Sequence, residues 1–259
     1  MRRITSISLL AAAVLALAAA AAVADTFIGT SAADQLQGTP GPDQLYGEDG
    51  DDTLVALGGS DFIEAGPGND TVDAGGGLDL IIGGTGNDSI DGSVGRDLVY
   101  AGAGDDQVLG GQGADTLFGQ DGSDHLFGGA GPDRLYASGG ADFVDAGSGD
   151  DTLFADGTGI TLLAAGGDDI VSASGGAMTV EGGGGHDRIR TGDGRDHVSG
   201  GPGEDSIATG AGNDRVEAAD GRRDRVNCGS GRNDSVTADR FDIVRRCEHF
   251  TAPPPPTRR

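Results

Sequence analysis

The sequence predicts an all-β solenoid, in which short parallel strands alternate with tight turns and wind into stacked coils. Three observations carry the prediction. A nine-residue pattern runs from Gly29 to Glu217 without an insertion or deletion, which makes 21 consecutive units. Position 8 of the unit is Leu, Ile or Val in every one, from Leu36 to Val216. Gly supplies 51 of the 259 residues, roughly three times its usual share of about 7%. A fixed short period of this kind marks an architecture built by stacking one small unit on the next.

Each position of the unit has a physical reading. Two well-formed examples are Gly83-Gly84-Thr85-Gly86-Asn87-Asp88-Ser89-Ile90-Asp91 and Gly110-Gly111-Gln112-Gly113-Ala114-Asp115-Thr116-Leu117-Phe118. A lone aliphatic every ninth residue predicts a short strand with that residue inward and its neighbours outward. The Gly-rich residues before it must turn, because Gly permits φ > 0 and close backbone approach. One strand and one turn make half a coil, so two units complete a coil with one strand in each of two sheets. Some ten coils at about 4.8 Å each predict a rod roughly 50 Å long.

Composition narrows the function classes. Acidic residues number 42 against 17 basic ones, the net charge is −25 and every basic side chain is Arg. Nucleic acid is excluded as the expected partner, because phosphate binding needs clustered Lys and Arg. Low hydrophobicity with high charge is also the signature of disorder. Disorder does not hold register over 21 units, so the pattern outweighs the composition.

Position 6 is Asp in 19 units, the exceptions being Ile160 and Met178. Residues 18 apart become neighbours one coil apart, so each edge of the rod carries a column of carboxylates about 5 Å apart. Their repulsion costs on the order of 0.8 kcal/mol per neighbouring pair even in water. A hard divalent cation between turns reverses that sign. Carboxylate and carbonyl ligands without Cys or His select calcium, Ca2+, over zinc or copper.

The unit resembles the RTX, or haemolysin-type, calcium-binding repeat, GGxGxDxUx. The likeness covers about 190 residues and implies a right-handed parallel β-roll in which position-6 Asp and turn carbonyls hold multiple calcium ions. By that resemblance one edge uses Asp34, Asp52, Asp70, Asp88, Asp106, Asp124, Asp142, Asp196 and Asp214. The other uses Asp43, Asp61, Asp79, Asp97, Asp115, Asp133, Asp151, Asp169, Asp187 and Asp205.

Departures from the pattern carry further expectations. Ile160 and Met178 lie on one edge, which loses its carboxylates between Asp142 and Asp196. A calcium-poor, more apolar patch including Ala177 and Met178 is expected there, read either as decay of a redundant site or as a docking spot. Tyr100, Phe118, Tyr136 and Phe154 recur at position 9 every 18 residues, preceded by Ile82, and Phe62, Leu80 and Leu98 occupy position 7 of the same sheet. This apolar stripe is read as a self-stacking ladder, as a surface for self-association, or as a platform for extracellular polysaccharide. The other sheet is mostly polar at position 7, with Thr53, Thr71, Ser89, Gln107 and His125.

The ends differ from the repeats. Residues 1–24 read as a signal peptide: Arg2 and Arg3, an apolar stretch from Ile4 to Ala22, and an Ala22-Val23-Ala24 cleavage site. The apolar stretch is long enough for an uncleaved anchor, but the small-residue site and the immediate start of polar repeats favour cleavage, leaving no membrane span. Residues 25–217 form the β-roll. Residues 218–250, where single insertions break register, are expected to cap the open coil end, pinned by a Cys228–Cys247 disulfide that suits an exported chain. Residues 251–259, with four consecutive Pro, read as a disordered tail.

No G-x-S-x-G, H-E-x-x-H or P-loop motif is present, and His125, His186, His197 and His249 are scattered, read as solvated surface residues. The leading expectation is therefore a secreted, extracellular, non-enzymatic calcium-binding module whose folding is driven by calcium. A cell-surface adhesin or polysaccharide-binding module is the second reading. A glycan-acting enzyme using paired carboxylates is the third.

Overall fold

The computed structural model describes residues 2–4 and 24–252. The expected signal peptide therefore falls almost wholly outside the described residues, as does most of the Pro-rich tail. Among the described residues there is no helix, hence none long and apolar enough to cross a membrane.

The chain forms a parallel β-solenoid of about 13 coils. One strand per coil goes to a first sheet, running from Asp25–Ile28 through Leu80–Thr85 to Ile243–Arg245. The alternate strands form a second sheet, from Gln35–Gln37 through Gln107–Gly113 to His249–Thr251. Strands stack in parallel at the repeat period: Ile63, Ile81 and Val99 are in register, as are Val72, Ile90 and Val108. Among the described residues the only antiparallel pairing is Arg2–Ile4 beside Asp25–Ile28.

Two features exceed the sequence expectation. The stack has 13 coils rather than ten, giving roughly 60 Å at about 4.8 Å per coil. A half-unit before Gly29 adds a strand at one end. At the other, Arg225–Asn227, Ser235–Thr237, Ile243–Arg245 and His249–Thr251 pair in parallel with the strands below them. The inserted residues lengthen turns there and leave strand register intact. The strands themselves are also longer than three residues in mid-rod, as in Phe143–Ser148, because position 1 continues the strand.

Alternation along these longer strands places three residues of each unit inward: positions 6, 8 and 1. Position 8 supplies the core, with Leu45, Ile63, Ile81, Leu117, Leu126 and Leu153 fully buried. Position 1 is small because it too faces inward, and Ala65, Ala101, Ala146 and Ala164 are fully buried. Position 6, the Asp column, is the third inward position.

Cys228 and Cys247 are disulfide-bonded across 19 residues, with Cα atoms 5.2 Å apart and Cys228 buried. The bond ties the last turns to the strand at Arg225–Asn227. Replacing both Cys by Ser is expected to lower stability by about 3 kcal/mol through loop entropy, read from urea unfolding in saturating calcium. An unchanged midpoint would mean that stacking alone secures this end.

Candidate metal sites along the turns

The carboxylates lie inside the rod's edges rather than on them. Asp88, Asp115, Asp124, Asp133 and Asp151 are at most 3% exposed, and the remaining position-6 Asp from Asp43 to Asp214 are equally buried. Strand alternation forces this, since position 6 is two residues before the inward aliphatic.

Each carboxylate has one satisfied oxygen. Along both columns the backbone N–H of one Asp donates to Oδ1 of the Asp one coil on: Asp88 to Asp106 at 2.8 Å, Asp97 to Asp115 at 2.8 Å, Asp133 to Asp151 at 2.7 Å. The backbone beside it closes in the opposite direction, with Thr71 N–H donating to the Asp52 carbonyl at 2.8 Å. The column that contains Asp43 is thus a continuous chain of side-chain-to-backbone hydrogen bonds along the rod, while the column that contains Asp34 is interrupted at Ile160.

The second oxygen is orphaned. Oδ2 is buried without a hydrogen-bond partner in Asp52, Asp61, Asp70, Asp79, Asp88, Asp97, Asp106, Asp115, Asp124, Asp133, Asp142, Asp151, Asp169, Asp187, Asp196, Asp205 and Asp214. Buried polar atoms are nearly always paired, so a systematic series of lone carboxylate oxygens marks where a cation belongs. Backbone oxygen stands close by. The space a side chain at Gly128 would fill is bounded by the Ala146 carbonyl oxygen at 2.5 Å and Asp133 Oδ2 at 2.7 Å. Among the described residues no three His, Cys, Asp or Glu side chains converge on one point. Each Asp therefore faces its own turn, where the further donors are backbone carbonyls. Oxygen-only donors fit calcium.

Two of the sequence-predicted Asp differ. Asp34 Oδ2 accepts from the Thr30 N–H and, at 2.8 Å, from its hydroxyl. Asp43 Oδ2 accepts likewise from the Thr39 N–H and, at 3.0 Å, its hydroxyl. The first coil is closed by Thr side chains, so its two carboxylates have less need of a cation.

Three acidic residues escaped the sequence reading. Asp205 N–H donates to Asp224 Oδ1 and Asp214 N–H to Asp234 Oδ1, at 2.8 and 2.9 Å. Asp224 N–H then donates to Asp242 Oδ1 at 3.0 Å. Both columns therefore continue through residues 218–250, and Asp224 and Asp234 carry orphaned Oδ2 atoms like the rest. The signal was present as Arg-Asp-Arg-Val and Asn-Asp-Ser-Val, each preceded by a one-residue insertion that hides it from a strict nine-residue count.

A second, outer column also emerges. Position-5 side chains accept from the backbone one coil on: Asn69 N–H to Asp51 Oδ1, Asn87 N–H to Asn69 Oδ1 and Ser123 N–H to Asp105 Oδ1, each at 2.8 Å. On the other edge His186 joins it, its Nδ1 accepting from the Glu204 N–H at 2.9 Å. His186 is exposed, as the sequence suggests, but it is engaged.

Ile160 and Met178 overturn the expected surface patch. Both are buried, at 1% and 3% exposure, and belong to the core. Position 6 faces inward, so replacing Asp by an apolar residue enlarges the core; only Ala177 is exposed. The column resumes where Met178 N–H donates to Asp196 Oδ1 at 3.1 Å. Met178→Ala is expected to cost about 2–4 kcal/mol at any calcium concentration through the cavity it leaves. Met178→Asp is expected to raise the calcium midpoint of folding yet recover stability at saturating calcium, as unfolding at two calcium concentrations would show. Equal losses for the two variants at saturating calcium would count against a restored site.

The apolar stripe is present on the outer face of the first sheet. Tyr100, Phe118, Tyr136 and Phe154 stack with centroids 4.9, 4.4 and 4.9 Å apart and planes within 12° of parallel. Leu80 stands in register with Phe62 and Leu98, and Ile82 with Tyr100. The rings cover one another's faces and turn their edges to solvent.

Burial dominates the electrostatics of the Asp columns. Desolvation raises the carboxyls of Asp88, Asp97, Asp133, Asp169 and Asp224 to about 7, and those of Asp79, Asp124, Asp151 and Asp205 to about 6. The accepted backbone hydrogen bond pulls each one down, and neighbouring Asp charges push most of them further up. Without a cation, these sites favour the protonated acid at neutral pH far more than a free Asp does.

A parallel β-roll with inward carboxylate columns and oxygen-lined turns defines a calcium-binding repeat protein. The RTX calcium-binding nonapeptide repeat family matches in four-copy blocks at residues 28–63, 55–90, 82–117, 118–153 and 181–216, more than half of the chain. The chain belongs to that family, and its repeats bind calcium. The matches pass over 154–180, the stretch that contains Ile160 and Met178. No curated relative matches the chain.

Proposed function

We propose that this protein is an exported structural module whose β-roll is assembled by calcium, with the inward Asp of each turn as ligand. The observation that carries the reading is the row of orphaned Oδ2 atoms: 17 of the 19 position-6 Asp, joined by Asp224 and Asp234. Calcium supplies the positive charge that offsets their burial. The protein's own part is to fix each carboxylate through its Oδ1 hydrogen bond and to present carbonyl oxygens from glycine turns. An ion bound only by the folded chain adds its binding energy to folding.

Export is supported by the Arg2-Arg3 start, the apolar stretch and the Ala22-Val23-Ala24 site, and by the calcium-rich medium such turns need. Within the stripe, ring faces packed on one another favour a self-stacked ladder. A carbohydrate platform would need those faces open.

Calcium titration into the chelator-treated mature chain, followed by far-UV circular dichroism, tests the reading. A cooperative rise of β signal at sub-millimolar to millimolar calcium, poorly reproduced by magnesium, is expected. A β signal already complete in chelator would remove calcium from its central place.

A further inference from the structure

Four Arg residues of this acidic chain gather on one face of the roll. On the outer face of the first sheet, strands Arg188–Arg190, Ser206–Ala208, Arg225–Asn227 and Ile243–Arg245 lie side by side. Their outward residues are Arg188, Arg190, Ser206, Ala208, Arg225, Asn227, Ile243 and Arg245, with no carboxylate among them. On the same coils of the second sheet the outward charges are Glu181, Arg215 and Glu217, and Arg215 pairs with Glu217 at 2.8 Å. Arg188, Arg190, Arg225 and Arg245 form no ion pair among the described residues.

Arg225 and Arg245 line a depression of about 370 Å³. The small residues Ser206 and Ala208 line it together with Asn227 and Ile243. Arg188 and Arg190 stand on the adjacent strand, in register with Ser206 and Ala208. Arg225 and Arg245 stand diagonally on neighbouring strands, where two unpaired positive charges repel each other. Their guanidinium forks match tetrahedral oxyanions, to which they donate paired hydrogen bonds. Ser206 and Asn227 add neutral donors, and the volume suits a compact ligand group more than a flat protein surface.

We infer that this depression binds a sulfate- or phosphate-class oxyanion, either free or carried on an acidic polysaccharide. The site needs the folded roll but not the ligand assignment of the Asp columns. Binding is therefore measured on calcium-saturated mature protein whose β signal has been verified by circular dichroism.

The probe is a fluorescein-labelled dextran sulfate oligosaccharide, followed by anisotropy, with inorganic sulfate as competitor and neutral dextran as control. Salt-sensitive binding to the sulfated probe alone is expected. The double variant Arg225→Gln with Arg245→Gln is expected to weaken it about tenfold or more. Arg222→Gln with Arg223→Gln, which removes equal charge from a nearby turn, is expected to leave it within about twofold. Full competition by inorganic sulfate assigns the site to the free anion; weak competition, with the Arg225 and Arg245 dependence retained, assigns it to the polymer. Binding no tighter than to neutral dextran, or equal loss in both double variants of verified fold, would overturn the inference.

Discussion

In chelator at about pH 8 the mature chain is expected to give a coil-like spectrum, and acidification to about pH 5 is expected to restore much of the β signal. The folded carboxyls of Asp88, Asp97, Asp133 and Asp169 sit at about 7, against 3.8 for an ordinary Asp. Folding without metal therefore takes up protons. The stabilisation is fully present below the unfolded value of 3.8 and is lost as pH rises through about 7. At higher pH the folded state must hold buried, charged and half-satisfied carboxylates along both edges, which a thin core of one aliphatic per unit cannot offset.

Calcium reverses the dependence. It competes with the proton for the same oxygen, so the calcium midpoint is expected to rise as pH falls from about 7 to about 5. Circular dichroism across pH, with and without calcium, reads both limbs. A metal-free chain that is most structured at about pH 8 would show that the Asp columns are not the element calcium acts on.

Gly113→Ala is expected to be among the most damaging single substitutions, costing about 3–5 kcal/mol. Gly113 adopts φ of 153°, and a methyl group there would overlap the Gly95 carbonyl oxygen one coil below. The backbone on both sides is tied into the stack, so neither can retreat. In a solenoid each coil is held only by its neighbours, so a spread turn weakens both interfaces. The calcium midpoint should rise severalfold and the melting temperature should fall. Gly166→Ala is the control: nothing lies within 4 Å of a methyl group there, and a change within about 1 kcal/mol is expected. Similar losses for the two variants would show that lost turn flexibility, rather than coil spacing, is responsible.

Much of this protein follows from local pattern. The unbroken nine-residue register and the aliphatic at position 8 are enough to specify strand, turn, coil and the parallel stacking of residues 18 apart, because each unit can bury its one apolar side chain only against its neighbours. The choice of calcium follows equally from oxygen-only side chains. The Cys228–Cys247 bond was legible from an even count of cysteines in a chain whose first residues read as an export signal. The stacking of Tyr100, Phe118, Tyr136 and Phe154 was legible from their spacing.

What the strict count hid were Asp224, Asp234 and Asp242, since insertions in the turns break the period without breaking strand pairing. The inward direction of position 6 was decided by the tertiary structure, because it requires the strand's alternation to begin two residues before the aliphatic, in residues that the Gly-rich pattern assigns to the turn. That one fact buries the carboxylates, strands their Oδ2 atoms, lifts their affinity for protons and turns Ile160 and Met178 from an expected surface patch into core. Sequence alone determined which residues stack. The path of the backbone between coils decided which of them face the interior, and burial then set their chemistry.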